Sequence, residues 1–246
     1  MAAIAAPRAQ SILTFDPYPG RGIIVGVTED GKHAIAVYFL TGRSENSRNR
    51  ILVLRNGSVQ TEPYDAGKVT DPRLIIYTAM RKYKGRLIVS NGDHTDTVYN
   101  TLKTGASFEE ALFSRTYEPD APHYTPRIAA LLDVRNGCAV NMAILRRQAD
   151  GRCRRDFFSY PAEPGVGHYL STYSGSGDPL PSFAGDPLEV TLEGTPANLA
   201  RSLWDSLDGD NRIALAVKAA DLSSGRITTT IINKHTEKES EGEDGR

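Results

Sequence analysis

The runs GIIVGVT (22–28) and AIAVYFL (34–40) stand on either side of EDGK and His33, the pattern of two strands joined in a hairpin that turns at Asp30-Gly31. A second hairpin is predicted where ILVLR meets SVQTE across Asn56-Gly57, and LIVSNGDH (87–94) reads as a strand ending in a polar loop. Further strand-like pieces are CAVNMAIL, DFFSYP, HYLSTYS, LEVTL, IALAVKA and GRITTTIIN. Three helices are predicted among them. One opens at SFEEALF, where Ser107 and Glu110 have capping-box spacing; one at YTPRIAALLD, with Thr125 as cap and Pro126 in the first position; one near Thr195-Pro196, carrying Leu199, Leu203 and Leu207 on an apolar face beside Trp204. Strict strand–helix alternation is absent, which argues against a doubly wound nucleotide fold and for a layered α+β architecture with largely antiparallel sheets. At 246 residues the chain reads as a flexible segment 1–15, a single domain 16–234 and a charged, disordered tail 235–246.

The composition, 39% hydrophobic and 24% charged with a formal charge of -1, is that of a globular protein and argues against a nucleic-acid-coating surface. No apolar run is long enough for a membrane helix, and MAAIAAPRAQ makes no convincing secretory signal, so a cytoplasmic location and no membrane partner are expected. Cys138 and Cys153 have no metal-like spacing and read as reduced structural cysteines. There is no GxSxG, Walker, HExxH or dinucleotide motif, and no cofactor is expected.

The polar clusters each allow two readings. TGRSENSRNR (41–50) puts Arg43, Arg48 and Arg50 directly behind a buried strand, either as a solvated loop or as an anion site, because a guanidinium offers rigid paired donors to phosphate or carboxylate oxygens. In SNGDHTD (90–96), Asn91 and Gly92 form a favoured turn pair, and the Asn91 amide is placed to read a ligand's polar edge; Asp93, His94 and Asp96 lack a diagnostic zinc spacing, so no metal is expected. Glu118 precedes a proline-rich loop leading to the predicted helix at Thr125, and Arg127 in that helix's first turn sits where the dipole disfavours a cation, which points to an anionic partner. RRQADGRCRR holds five arginines between Arg146 and Arg155 on a hairpin connection, as a solvated turn, an anion contact or a subunit contact. In HYLSTYSG, Tyr169, Ser171 and Tyr173 share one face of a strand and His168 takes the other. Residue chemistry alone thus stops at a phosphorylated ligand bound without need of a metal.

The blocks GRSENSRNR, SNGDHTD, YTPRI and YLSTY, in this order between about Gly20 and Tyr173, resemble the IMP cyclohydrolase family typified by the archaeal enzyme and its bacterial relatives. The resemblance implies a four-layer αββα fold similar to the N-terminal-nucleophile hydrolases without their nucleophile, and Met1-Ala2 indeed offers no Ser, Thr or Cys. It implies closure of 5-formamidoimidazole-4-carboxamide ribonucleotide to IMP with loss of water, with no cofactor. Carried onto this chain, it makes Arg43, Arg48, Tyr77 and Glu118 catalytic and has Asn91, Gly92 and Asp93 line the base pocket. Arg50, Arg127 and Tyr173 complete the candidate substrate contacts. Because the arginine block differs from the family's shorter version, Arg48 and Arg50 compete for one family position. An amidohydrolase acting on another nucleotide and a noncatalytic nucleotide-binding relative remain the alternatives. A homo-oligomer is expected by analogy with other small nucleotide enzymes.

Overall fold

The computed structural model describes residues 6–69, 72, 75–135, 137–175, 177–236 and 239–243, the last stretch by its backbone. Met1 and Ala2 lie outside the described residues. The chain opens with α1 (Ala9–Phe15), and the first two apolar runs form β1 (Arg21–Val27) and β2 (His33–Thr41), antiparallel with Ile23 opposite Tyr38 and Val25 opposite Ala36. Every β2 residue after His33 is buried. A continuous apolar run, instead of an alternating one, is what a strand needs when both of its faces are covered.

Past a single helical turn, α2 (Glu45–Arg48), seven strands form one antiparallel sheet in chain order: β3 (Ile51–Arg55), β4 (Ser58–Glu62), β5 (Thr78–Lys82), β6 (Arg86–Ser90), β7 (Arg127–Asp133), β8 (Ala139–Arg147) and β9 (Cys153–Pro161). The β3–β4 turn is made by Asn56 and Gly57 at φ 49° and 73°, the positive pair that a two-residue hairpin loop requires. The chain then returns to the first sheet through β10 (Val166–Ser171), β11 (Leu188–Thr191), β12 (Arg212–Asp221), β13 (Ile227–Asn233) and β14 (Glu239–Glu243), giving the order β11-β10-β1-β2-β12-β13-β14.

Between the strands lie α3 (His94–Thr104), α4 (Phe108–Phe113) and α5 (Pro196–Ser206). The sheets bury one shared apolar cluster, with Ile23, Val25, Leu40, Leu52, Met80, Val89, Ile128 and Met142 among its members. A second cluster joins Leu13 of α1 and Leu199, Leu203 and Trp204 of α5 to Ile24, Val37 and Phe39 of the first sheet. A third joins Val98, Leu102, Phe108 and Leu112 of α3 and α4 to Ile88, Ala129 and Leu131 of the second. Thus Ile23 and Ile24, neighbours in sequence, enter different clusters, as the two faces of a strand dictate. The fold is a mixed α/β architecture of two antiparallel sheets with helices.

Several expectations are corrected. YTPRIAALLD is no helix: Arg127–Asp133 is a strand inside the second sheet. Its threonine, proline and alanine signals are local and weak, whereas Ile128, Ala130 and Leu132 enter one cluster and Ala129 and Leu131 another. Thr125 spends its side chain on Tyr173 and Asp120 instead of a helix cap. With the helix goes the dipole argument for Arg127. Conversely SNGDHTD, read as a loop, runs from Ser90 at the end of β6 into α3, whose C-terminal Gly105 adopts φ 91°. Residues 9–15 are helical because Ala9 and Leu13 bury against the second cluster, and Glu239–Glu243 pairs antiparallel with β13 where a structureless tail was expected. The capping box at Ser107 and Glu110 and the Thr195 cap of α5 are as read.

Candidate active site

The site is built where β2 gives way to α2. Ser44 caps that turn by accepting from the Ser47 amide at 3.1 Å, and the Ser47 hydroxyl donates back to the Ser44 carbonyl at 2.8 Å. This knot separates the arginines. Arg50 is buried, with Nε donating to the Ser47 carbonyl at 2.7 Å, and lines a cleft of about 470 Å³ together with Arg21, Ser44, Ser47, Thr125 and Tyr173. Arg43 stands at the same cleft, its guanidinium 4.1 Å from the Tyr18 ring centre. Arg48 turns the other way, donating from Nε to the Gly42 carbonyl at 3.1 Å and lining an adjoining groove with Tyr64, Lys68 and His235.

Arg21, on the wall of this cleft, belongs to a pair the sequence reading missed. Arg21, the first residue of β1, donates from Nη2 to both carboxylate oxygens of Glu118 at 2.9 Å, with side chains only 14% and 7% exposed. Burial raises the Glu118 carboxyl above the ordinary glutamate range, with Arg21 and Arg127 pulling against it. Burial opposes the Arg21 charge and is the largest single effect on it; Glu118 is the largest of the groups that together outweigh it and hold the guanidinium protonated. The Arg21 Nε is buried with no partner among the described residues. Glu118 is placed by its own amide, which donates to the Thr125 carbonyl at 2.9 Å, while the Thr125 hydroxyl meets that of Tyr173 at 2.7 Å. The loop carrying Glu118 is thereby tied to the chain beyond β10.

Tyr77 is buried just ahead of β5, and its hydroxyl lies 2.7 Å from that of Tyr38 on β2. Both tyrosines belong to the apolar cluster that the two sheets share. Asn91 is a cross-link more than a free reader: Oδ1 accepts from the Ile128 amide at 2.8 Å, and Nδ2 donates to the Pro126 carbonyl at 2.9 Å and reaches Glu118 at 3.5 Å. Asp93 is held by Arg115 and by Arg127, the latter at 2.8 Å. Gly92 is packed so closely that a Cβ there would lie 2.6 Å from Arg127 Nη1. Asn91, Gly92, Asp93 and Arg127 therefore brace the second sheet behind Glu118. Among the described residues no group of three or more His, Cys, Asp or Glu side chains is placed to hold a metal. The arginines of the β8–β9 hairpin are engaged within the chain: Arg146 and Arg154 with Asp156, Arg152 with Asp150, Arg155 with the Leu112 and Arg115 carbonyls, and Arg147 over the Tyr124 ring.

His94, behind this brace, carries a testable pH dependence. It is fully buried; Arg127 donates to Nδ1 at 3.1 Å, and Nε2 donates to the Ile128 carbonyl at 3.0 Å. Burial first, and the Arg127 charge second, push its pKa down to about 3 from the ordinary 6.5. Between those values the unfolded chain binds a proton that the folded chain refuses, so stability falls as the pH drops below about 6.5. At about 1.4 kcal/mol per pH unit, roughly 2 kcal/mol is lost by about pH 5. Urea unfolding at pH 7 and pH 5 is expected to show that loss, and His94→Gln to reduce its slope.

A family model described as IMP cyclohydrolase-like protein matches residues 18–225. The chain belongs to this family. Among curated proteins it is similar to the IMP cyclohydrolase of Methanopyrus kandleri, 34% identical over 119 residues, which are 47% of this chain and 59% of that protein. It is 30% identical to the IMP cyclohydrolase of Methanococcus aeolicus over 160 residues, 63% and 74% of the two chains. With that of Methanocaldococcus jannaschii it shares 30% over 159 residues, 64% and 73%. The match to the IMP cyclohydrolase-like model takes in Arg21, Tyr38, Tyr77, Glu118 and all the arginines of α2 and its flanks, while α1, β13 and β14 lie outside it.

Arg21 and Tyr38 were legible only in part. A charged residue opening an apolar strand, and an aromatic with a polar tip inside one, are weak signals until something across the fold meets them.

Proposed function

We propose that the protein closes 5-formamidoimidazole-4-carboxamide ribonucleotide to IMP. The carboxamide nitrogen attacks the formyl carbon and gives up one of its two hydrogens, forming the ring C–N bond, while the formyl oxygen takes up a proton; the carbinolamine hydroxyl then leaves as water with the hydrogen of the former formamido nitrogen, which forms the ring C=N bond. An amide nitrogen is a poor nucleophile, and the substrate already carries both reacting groups. What a protein adds is alignment, a donor for the developing oxyanion and a base for the amide proton.

The observation that carries this reading is the buried Arg21–Glu118 pair, whose Arg21 shares the wall of the cleft with Arg43 and Arg50, together with the bonded Tyr38–Tyr77 phenols in the core between the sheets. The cleft's size suits a nucleotide-like ligand. Arg43 and Arg50 are assigned to the phosphate and polar groups, Glu118 to the amide proton and Tyr77 to the formyl oxygen. A neutral phenol donates without the cost of a buried charge. Helices on the outer faces of two packed sheets support the reading of the fold as an αββα sandwich similar to the N-terminal-nucleophile hydrolases. A cytoplasmic homo-oligomer completes the proposal, and sedimentation of the purified chain tests the oligomer.

The deciding experiment incubates the protein with the formamido ribonucleotide and follows IMP. Acceleration over the spontaneous reaction is expected, with Tyr77→Phe slower by roughly 10²-fold, the effect of removing one oxyanion donor. No acceleration, or release of formate in place of ring closure, overturns the proposal.

A further inference from the structure

Tyr38 stands in the middle of β2 with none of its surface exposed, and its hydroxyl has one partner among the described residues, that of Tyr77 at 2.7 Å. Tyr77 is 7% exposed. Burial raises the Tyr38 phenol well above its ordinary range, against the opposing charges of Arg21 and Arg50, so Tyr38 keeps its proton. Each neutral phenol has one hydrogen to give. If Tyr77 gave its hydrogen to Tyr38, the Tyr38 hydrogen would be buried without an acceptor, which is costly. If Tyr38 donates, the hydrogen left over is that of Tyr77, the member of the pair that keeps some exposed surface.

We propose that Tyr38 is a positioning residue for the ring closure: it donates to Tyr77 and so leaves the Tyr77 hydrogen free to meet the substrate's formyl oxygen. This rests on the reading of Tyr77 as the oxyanion donor. Accepting one hydrogen bond also polarises the Tyr77 hydroxyl and strengthens it as a donor. Arg21, on the wall of the cleft, has a buried Nε with no partner among the described residues.

The test is a double-mutant cycle with Tyr38→Phe, Tyr77→Phe and the double variant. Tyr38→Phe is expected to lower kcat about 10-fold, the worth of one hydrogen bond, with KM within about twofold. The double variant is expected to be no slower than Tyr77→Phe alone, because Tyr38 acts only through Tyr77. Losses that multiply, or an unchanged kcat in Tyr38→Phe, overturn the proposal. Infrared difference spectra on protein with ring-labelled tyrosine read the hydroxyls without turnover. The phenol lost in Tyr38→Phe should show a donor's C–O band and the one lost in Tyr77→Phe an acceptor's; the reverse assignment overturns the proposal even in an active enzyme. The expected bands in a protein that forms no IMP would uphold the hydrogen's direction and defeat the reaction it is said to serve.

Discussion

Glu118→Ala is expected to lower kcat/KM for IMP formation by roughly 10²–10⁴, the worth of a positioned acid–base group. The same change should destabilise the fold by about 3–5 kcal/mol, because it strands a buried cation. Both effects follow from one geometry. Arg21 spends Nη2 on the two oxygens of Glu118, neither side chain has much access to water, and Asn91 approaches the same carboxylate. Removing the carboxylate leaves the guanidinium charge where water cannot easily reach it, whereas removing both charges does not. The double variant Arg21→Met with Glu118→Leu is therefore expected to recover most of the lost stability in urea unfolding while remaining inactive. Recovery of activity along with stability would mean that the pair is only a structural strut. A single variant that unfolds no more easily than the parent would mean that the pair is not dry.

The parts of this molecule that could be read from the sequence are those decided within a few residues. Asn56-Gly57 and Asp30-Gly31 turn hairpins because positive φ is a local requirement, and Ser107 with Glu110 closes a capping box across three positions. The misread parts are decided from afar. Arg127–Asp133 carries a plausible cap and a proline at the right place, but Asn91, 37 residues upstream of Ile128, binds its first free amide and draws it into the sheet. Helix α3 was hidden because the polar run before it begins with a favoured turn pair, and the turn is real; it is followed by a helix whose Val98 and Leu102 find their apolar partners on other elements. The site shows the same division. Glu118 and Tyr77 came from resemblance, and nothing near either one names its partner: Arg21 is 97 positions from Glu118, and Tyr38 is 39 from Tyr77. The family pattern supplied the residues, and only the packing of two sheets supplied the pairs.

The arginine cluster behind β2 yields the second large effect. Arg50→Met is expected to cost about 2–5 kcal/mol of transition-state binding, roughly 30- to 5,000-fold in kcat/KM, as truncation of a buried charge that meets an anionic partner does. Arg48→Met is expected to stay within about threefold, since an exposed cation in a neighbouring groove contributes little. The two residues differ by two positions, and one turn of helix decides between them. Arg48 closes α2 and folds back on the Gly42 carbonyl at 3.1 Å, while Arg50 has left the helix and is fixed by the Ser47 carbonyl at 2.7 Å with its fork toward the cleft. That Nε bond also predicts the outcome of Arg50→Lys: an ammonium restores the charge but neither the fixed plane nor the Ser47 contact, so rescue should be partial and confined largely to KM. Equal losses in Arg48→Met and Arg50→Met would make both grooves parts of one site. A tolerant Arg50 beside a sensitive Arg48 would place the substrate against Tyr64 and His235, and the Glu118 pair would then have no route to it.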